Sequence, residues 1–204
     1  MKTANIAVFV SGGGTNLQAL IDAQDSGVIR SGCIRLVIAS QSSAYALERA
    51  RKAGIDAVAV TKKEYGSREA VEAEIERLLE AYQIDMIALA GYLSILSETF
   101  TRRWENRIVN VHPSLIPSFC GKGFYGLKVH EEALKYGVKV TGATTHFVNE
   151  VPDGGRIIMQ KAVEVQEGDT PEILQRRVME QAEWIIMPLS VEKVAADLAK
   201  EDRL

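Results

Sequence analysis

The feature that most constrains the fold is a repeated alternation between short apolar runs and segments with helical periodicity. The apolar runs are rich in β-branched residues and occupy residues 5–10, 34–39, 57–60, 85–90 and 108–111. Their length and composition predict buried strands, and helical stretches follow them, for example from Ser67 to about Tyr82. Successive βα units predict an α/β fold with one doubly wound, mostly parallel sheet and helices on both faces.

A different pattern begins at Pro113. Residues 113–127 contain two prolines and three glycines, which predicts a long loop that is able to act as a lid. A short helix is predicted over residues 128–136. The runs at residues 138–148 and 156–163 predict two longer strands, which we expect to be antiparallel to their neighbours.

The C-terminal segment predicts one long helix. The Asp169-Thr170 pair provides a cap, and the helix is expected over residues 171–199 with a bend at Pro188. No repeat, linker or low-complexity tract interrupts the chain. The economical interpretation is a single domain over residues 1–204.

Composition narrows the class of ligand. The chain is 47% hydrophobic and 25% charged, as in ordinary globular proteins, and its net charge is −3. Such a chain has no general attraction for nucleic acid, so any anionic ligand must be met by local donors, which favours a small ligand over a polyanion. We see no signal peptide, and the two cysteines, Cys33 and Cys120, have no metal-ligand spacing, so we expect a cytoplasmic location.

A glycine-rich loop follows the first predicted strand. Ser11-Gly-Gly-Gly-Thr-Asn16 allows backbone N–H groups to approach an anion at a helix N-terminus. The dinucleotide-binding motif needs a third glycine at position 17, which is Leu17, and no Gly-Lys-Ser/Thr follows as in a Walker loop. The loop favours the phosphate of a small metabolite, and a glycine turn without a ligand is the alternative.

A polar pair lies at the end of the fifth predicted strand. Asn110 and His112 are two residues apart on extended backbone, so their side chains point to the same side. An amide and an imidazole aimed together suit the stabilisation of a carbonyl oxygen that gains negative charge. The alternative is a histidine that merely holds a loop in place.

The turn between the last two predicted strands is acidic. In Asn149-Glu-Val-Pro-Asp-Gly-Gly155, the two glycines allow Asp153 to face a neighbouring side chain. A carboxylate within hydrogen-bond reach of His112 is expected to raise the pKa of that imidazole and to favour the imidazolium. A solvated loop acid is the alternative.

Three motifs closely resemble those of phosphoribosylglycinamide formyltransferases, the folate-dependent glycinamide ribonucleotide transformylases of purine synthesis. They are Ser11-Gly-Gly-Gly-Thr-Asn-Leu-Gln18, Asn110-Val-His-Pro-Ser-Leu-Ile-Pro117 and Thr145-His-Phe-Val-Asn-Glu-Val-Pro-Asp-Gly-Gly155. The first is the more specific, since other formyltetrahydrofolate enzymes share the other two. The resemblance covers essentially the whole chain and implies one Rossmann-like formyltransferase domain, with a phosphate-binding half (1–111) and a folate-binding, catalytic half (112–204).

The resemblance also implies roles for individual residues. Asn110, His112 and Asp153 match the catalytic trio. The matches to the phosphate and ribose site are Gly14, Thr15, Asn16 and Glu183. The matches to the folate site are Arg68, Leu93, Ser94, Ile95, Leu96, Asn110, Asn149, Glu150, Val151, Pro152 and Asp153. Many relatives carry an arginine where this chain has Ser94, and Glu-His where it has Glu183-Trp184.

The activity implied by the resemblance is direct formyl transfer from the co-substrate 10-formyltetrahydrofolate to the primary amine of 5'-phosphoribosylglycinamide. Asn110 and protonated His112 would hold the oxygen of a tetrahedral intermediate, with Asp153 assisting. We expect small-molecule substrates, no metal, no nucleic-acid or membrane partner, and a monomer or homodimer. We interpret His146 as a supporting or packing residue and His130 as a helix-surface residue.

Other functions use parts of the same constellation. A formyltetrahydrofolate hydrolase would use water as the acceptor but carries an additional N-terminal domain, for which we expect no room before Asn5. A methionyl-tRNA formyltransferase needs a C-terminal nucleic-acid-binding extension and a basic surface, which this acidic chain is not expected to provide. A non-catalytic folate-binding or sugar-phosphate-sensing protein would not need the trio.

Overall fold

The computed structural model describes residues 3–201, and residues 1–2 and 202–204, at the ends of the predicted domain, lie outside that range. Its strands are β1 (Ala4–Val10), β2 (Gly32–Ala39), β3 (Asp56–Ala59), β4 (Met86–Leu89), β5 (Ile108–His112), β6 (Val140–Phe147) and β7 (Ile157–Glu164). They form one sheet in the order β3-β2-β1-β4-β5-β6-β7. The strands β1 to β5 are parallel, whereas β6 is antiparallel to both β5 and β7. The predicted fold class is confirmed.

The helices are α1 (Thr15–Asp25), α2 (Ala46–Lys52), α3 (Lys62–Tyr65), α4 (Arg68–Ala81), α5 (Glu98–Arg103), α6 (Leu127–Tyr136), α7 (Pro171–Val178) and α8 (Trp184–Glu201). The predicted cap of α4 is present, because the Ser67 hydroxyl accepts a hydrogen bond from the Ala70 N–H. None of the helices within residues 3–201 has the length and apolar character required to cross a membrane.

The predicted long C-terminal helix is present, because helical residues run without a gap from Pro171 to Glu201, but it contains an irregular turn. A π-helical turn, Met179–Glu183, separates α7 from α8, and Pro188 lies inside α8. Proline lacks the N–H that would bond to the carbonyl four residues earlier, here that of Trp184, where the π turn ends. The irregularity therefore lies one turn before the proline. The predicted bend at Pro188 itself stays a prediction.

Hydrophobic side chains cover both faces of the sheet, as the alternation along β1 illustrates. Ile6 and Val8 pack into a core cluster with residues of α1 and α8, whereas Ala7 and Phe9 pack into a second cluster with residues of α4 and α5. Strands buried on both faces carry nearly continuous apolar runs. This explains why the sequence signal of the parallel strands is strong.

The strand order places a topological switch point between β1 and β4, because the chain winds from β1 to β3 on one side and continues from β4 on the other. Ligands of open α/β sheets bind at such points, beyond the carboxyl ends of the strands. Here the Leu93 N–H, in the loop after β4, donates to the Ser11 hydroxyl in the loop after β1 (2.9 Å). The two loops are thereby fixed to each other.

Candidate active site

The antiparallel pairing of β5 with β6 brings four polar residues together. Asn110 pairs with His146, and His112 pairs with Thr144. The Asn110 Nδ2 lies 3.1 Å from the His146 Nε2, so the amide donates to that imidazole. His146, interpreted from the sequence as a supporting or packing residue, is therefore in direct contact with Asn110.

Asp153 lies between the two imidazoles. Its Oδ2 is 3.5 Å from the His112 Nδ1, and its Oδ1 is 3.5 Å from the His146 Nε2. The side chains of His112, His146 and Asp153 are 5%, 2% and 14% exposed, so this charge cluster is largely shielded from water. The predicted approach of Asp153 to His112 is confirmed.

Backbone carbonyls determine which ring nitrogens carry protons. The Phe119 carbonyl lies 2.9 Å from the His112 Nε2, and the Phe147 carbonyl lies 2.8 Å from the His146 Nδ1. A carbonyl oxygen only accepts hydrogen bonds, so these two nitrogens are the N–H donors. In a neutral ring, the nitrogen that faces Asp153 is therefore the basic one.

The ionisation of this cluster differs from the sequence-based expectation. Burial lowers the pKa of His112 below its ordinary 6.5, and this effect exceeds the opposing attraction of Asp153 and the hydrogen bond to Phe119. Burial alone would raise the pKa of Asp153, but the contacts with His146, His112 and the Gly121 N–H lower it overall. Asp153 raises the pKa of His112 as expected, but burial has the larger effect, so the expectation of a net rise in that pKa is wrong.

Unusual backbone geometry holds Asp153 in position. Its φ is +56°, in the left-handed region that non-glycine residues adopt at a cost. A Cβ added to Gly155 would overlap the Phe147 carbonyl, so this position requires glycine. This turn therefore places the Asp153 carboxylate next to His112 of β5 and His146 of β6.

The loop after β5 contacts both members of the His112–Asp153 pair. In addition to the Phe119 carbonyl on His112, the Gly121 N–H donates to the Asp153 Oδ2 (2.8 Å). Phe119 also has a positive φ, +48°. The predicted long loop is therefore docked onto the cluster here, and whether it acts as a lid stays a prediction.

A cleft lies beside this cluster. Its walls are formed by the loop after β4 and the turn before β7, and Asn110, His146 and Asp153 form its base. The wall residues include Leu93, Ser94, Ile95, Leu96, Asn149, Glu150, Val151 and Pro152. Leu93, Ile95 and Val151 expose 61%, 63% and 54% of their surfaces, a large apolar area for one small cleft. The structure thus brings together all the predicted folate-site residues except Arg68.

Arg68 lies in a neighbouring groove. That groove is lined by Arg68, Glu69, Glu72, Ala73, Glu76, Ser97, Thr99, Phe100 and Arg103. One of these residues, Ser97, directly follows Leu96 of the cleft wall in the sequence. Ser97 donates two hydrogen bonds to the Glu72 carboxylate. Arg68 is therefore adjacent to the cleft and outside it.

The glycine-rich loop leads directly into α1. Gly14 is the N-cap residue with φ +74°, and no side chain caps the helix. A Cβ at Gly14 would lie 2.7 Å from the Cβ of Ala46, so both the conformation and the space require glycine. The first N–H groups of a helix have no partner within the helix, which leaves the loop suited to an anion.

Asn16 and Glu183 form a buried pair at the same helix terminus. The Asn16 Nδ2 donates to the Glu183 Oε2 (2.8 Å), and the Asn16 Oδ1 is buried without a hydrogen-bond partner among the described residues. Burial raises the pKa of Glu183 to about 7. The π turn brings this glutamate, 167 residues away in the sequence, against the glycine-rich loop.

Across residues 3–201, no cluster of three or more histidine, cysteine or acidic side chains is arranged to hold a metal ion.

His130 is fully buried in α6 and neither ring nitrogen has a hydrogen-bond partner among the described residues, so its interpretation as a surface residue is wrong. Burial, with a smaller contribution from His112, lowers the pKa of His130 to about 4.

Comparison with known proteins decides the family. Residues 4–190 match the family model described as formyl transferase. The chain is 39% identical to phosphoribosylglycinamide formyltransferase of Escherichia coli over 187 residues, which cover 92% of this chain and 85% of that protein. The chain belongs to the formyl transferase family.

Other relatives agree with this assignment. The chain is 42% identical to the human trifunctional purine biosynthetic protein adenosine-3 over 96% of its own length, and it spans about a fifth (19%) of that longer protein. The crystal structure of glycinamide ribonucleotide transformylase 1 from Symbiobacterium toebii superposes with a TM-score of 0.88 at 42% identity, covering 96% of this chain and 89% of that one. The resemblance deduced from the three motifs is confirmed.

Proposed function

We propose that this formyltransferase transfers the formyl group of 10-formyltetrahydrofolate to the primary amine of 5'-phosphoribosylglycinamide in de novo purine biosynthesis. The observation that carries the proposal is the convergence of Asn110, His112 and Asp153 beside a cleft with apolar walls. The cleft lies next to an uncapped glycine-rich helix terminus. The names of the relatives support the same acceptor.

The proposed ligand sites follow the two loops. The phosphate and ribose of the acceptor would bind at Gly14, Thr15, Asn16 and Glu183, where backbone N–H groups favour an anion. The pterin ring of the donor would lie between Leu93–Leu96 and Asn149–Asp153. Arg68, in the adjoining groove, would attract the anionic glutamate tail of the folate. The donor acts as a co-substrate.

The proposed chemistry begins with attack of the neutral amine on the formyl carbon. A new C–N bond forms, the carbonyl π electrons move to oxygen, and the attacking nitrogen becomes positively charged. The Asn110 amide donates a hydrogen bond to the developing oxyanion. Removal of one such donor typically lowers the rate about 10²–10³-fold.

His112 and Asp153 would move the proton. Asp153, which lines the cleft, would relay the proton that leaves the attacking nitrogen to the His112 Nδ1, 3.5 Å from its Oδ2. The resulting imidazolium is stabilised by Asp153 and adds positive charge near the oxyanion. Transfer of this proton to N10 of the folate, with cleavage of the C–N10 bond, regenerates the neutral ring and releases the formylated amine.

The direct test is formyl transfer from 10-formyltetrahydrofolate with either glycinamide ribonucleotide or water as the only acceptor. We expect release of tetrahydrofolate only when the ribonucleotide is present. Equal release with water alone would instead indicate a hydrolase that uses the same trio. Absence of turnover with both acceptors would contradict the proposal.

A further inference from the structure

Two carbonyl groups of the glycine-rich loop accept hydrogen bonds from α2. The Gly12 carbonyl accepts from the Ala46 N–H (3.1 Å), and the Gly13 carbonyl accepts from the Arg49 Nε (2.8 Å). Among the described residues, Arg49 is the one donor to the Gly13 carbonyl. The first bond comes from the backbone of α2, whereas the second depends on a single side chain.

These two bonds fix the direction of the N–H groups in the same peptide units. The peptide bonds of the loop are trans, so the C=O and the N–H of each unit point in opposite directions. Because both carbonyls are directed toward α2, the N–H groups of Gly13 and Gly14 point away from it. Within residues 3–201, neither N–H donates to a backbone carbonyl, and no side chain caps α1. Both N–H groups are therefore available to an anion.

The peptide unit between Gly13 and Gly14 depends most on such a bond. Glycine has no Cβ, so a peptide unit between two glycines rotates at little steric cost. Gly14 packs closely against Ala46, whereas a Cβ added to Gly13 would have nothing within 4 Å. Packing therefore does not restrain Gly13, and the direction of its carbonyl depends on Arg49.

Arg49 is itself held by neighbouring side chains. Its Nη1 donates to the Gln18 Oε1 (3.0 Å), and the Gln18 Nε2 donates to the Asp22 Oδ1 (2.9 Å). Its guanidinium carbon lies 5.1 Å from the centre of the Tyr45 ring, at a cation–π distance. Contacts from α1 and from the N-cap of α2 thus orient the guanidinium toward the loop.

We propose that Arg49 is a positioning residue for the anion site. By holding the Gly13 carbonyl, it directs the Gly14 N–H at the phosphate of the acceptor. It acts through the peptide unit and contacts no reacting atom. The identity of the phosphate ester rests on the proposed function, whereas the orientation of the loop can be tested with inorganic phosphate alone.

Two substitutions at Arg49 separate the hydrogen bond from the charge. Glutamine carries its amide nitrogen as many bonds from Cα as the Arg49 Nε, so Arg49→Gln keeps a donor within reach of the Gly13 carbonyl and removes the charge. Arg49→Met removes both. Arg51→Met, which removes an exposed positive charge from the same helix, is the matched control.

The first readout is a titration of the ligand-free protein with inorganic phosphate, followed by the backbone ¹H–¹⁵N signals of Gly13 and Gly14. We expect both signals to shift in the wild type. In Arg49→Met the shift of the Gly14 signal should be lost and the Kd should rise about 10-fold, because one oriented donor to the anion is removed. The Kd should rise less than about threefold in Arg49→Gln and less than about twofold in Arg51→Met.

Three outcomes of the titration would overturn the inference. The first is wild-type affinity in Arg49→Met. The second is equal weakening in Arg49→Gln and Arg49→Met, which would assign the effect to charge. The third is a wild type that binds no phosphate. The remaining signals of each spectrum report whether the variant is folded.

Formyl-transfer kinetics give the second readout, with glycinamide ribonucleotide compared with the riboside that lacks the phosphate. Arg49→Met should lower kcat/KM for the ribonucleotide about 10-fold, through KM and not kcat, and leave kcat/KM for the riboside unchanged. An equal loss for both acceptors would indicate a general structural effect and overturn the inference. If the wild type bound phosphate but transferred no formyl group, the proposed function would fail, and the titration alone would decide the role of Arg49.

Discussion

The two ends of the candidate site are built in different ways. At the glycine-rich end, contiguous residues between β1 and α1 supply backbone N–H groups, and Gly14 provides the required conformation. At the catalytic end, side chains come from β5, β6 and the turn before β7, and two of the backbone positions that hold them, Phe119 and Asp153, have positive φ. A local segment thus forms the proposed anion site, whereas long-range packing forms the proposed catalytic cluster.

The two ends also bury opposite kinds of ionisable group. Glu183, at the glycine-rich end, is buried with a pKa raised to about 7. His130, in the helix behind the catalytic loop, is buried with a pKa lowered to about 4. Both pKa shifts favour the neutral form of the group. The stability that depends on Glu183 should therefore fall as the pH rises, whereas the stability that depends on His130 should fall as the pH decreases. The predictions below test this contrast.

The largest effect is expected from the catalytic end. Asn110→Ala and His112→Asn should each lower kcat about 10²–10³-fold, because each removes a group that acts on charge formed only during the reaction. The KM of the ribonucleotide should change little. Steady-state formyl transfer measures both constants. Near-normal turnover in either variant would exclude the assigned role of that residue.

Glu183→Gln tests the glycine-rich end through stability. Between pH 4.5 and about 7 the folded protein keeps the proton that the unfolded chain releases, so this group contributes stability below pH 4.5 that is lost as the pH rises to 7. The shift corresponds to about 3 kcal/mol. The glutamine variant should therefore gain stability relative to the wild type as the pH increases from 4.5 to 8 in urea unfolding. A constant difference over that range would contradict the assigned burial.

His130→Leu tests the opposite sign. The unfolded chain protonates this residue below pH 6.5, whereas the folded protein does so only near pH 4, so the wild type loses stability as the pH falls through this interval. The expected loss is about 3 kcal/mol. Comparison of the leucine variant with the wild type cancels the titration of the acidic residues. If the two unfolding curves shifted in parallel with pH, His130 would not be the group responsible.

Gly14→Ala should cost about 1–3 kcal/mol of stability because alanine disfavours φ +74° and its Cβ would meet Ala46. It should also raise the KM of the ribonucleotide. Gly12→Ala is the stability control, since a Cβ there has nothing within 4 Å. Equal stability of the two variants would show that the left-handed conformation is not required.

The smallest effect is expected for Arg68→Ala. Arg68 has a 54% exposed side chain, and exposed ion pairs contribute only about 0.2–1 kcal/mol. The KM of the folate donor should therefore rise no more than about fivefold, with kcat unchanged. Arg102→Ala, which removes a 72% exposed arginine outside the groove, is the matched control. A similar change in both variants would assign the effect to general charge.

The sequence predicted the glycine-rich end more completely than the catalytic end. The loop Ser11–Asn16 was recognisable because its glycines, its preceding strand and its following helix are adjacent in the chain. The contact between His146 and Asn110 was not predicted, because it depends on the register of two strands whose paired residues are 36 positions apart. A period-two pattern that ran through Thr144 and His146 was the only available signal.

The sequence by itself determined the βα alternation and the glycine-rich loop, since these depend on local periodicity and a short motif. Only the tertiary structure decided the direction in which the pKa of His112 shifts, because burial lowers it by more than Asp153 and the Phe119 carbonyl raise it. It also decided the pairing of Asn16 with Glu183 across 167 residues. Desolvation and contacts between distant segments arise only when the chain is packed, and no local pattern encodes them.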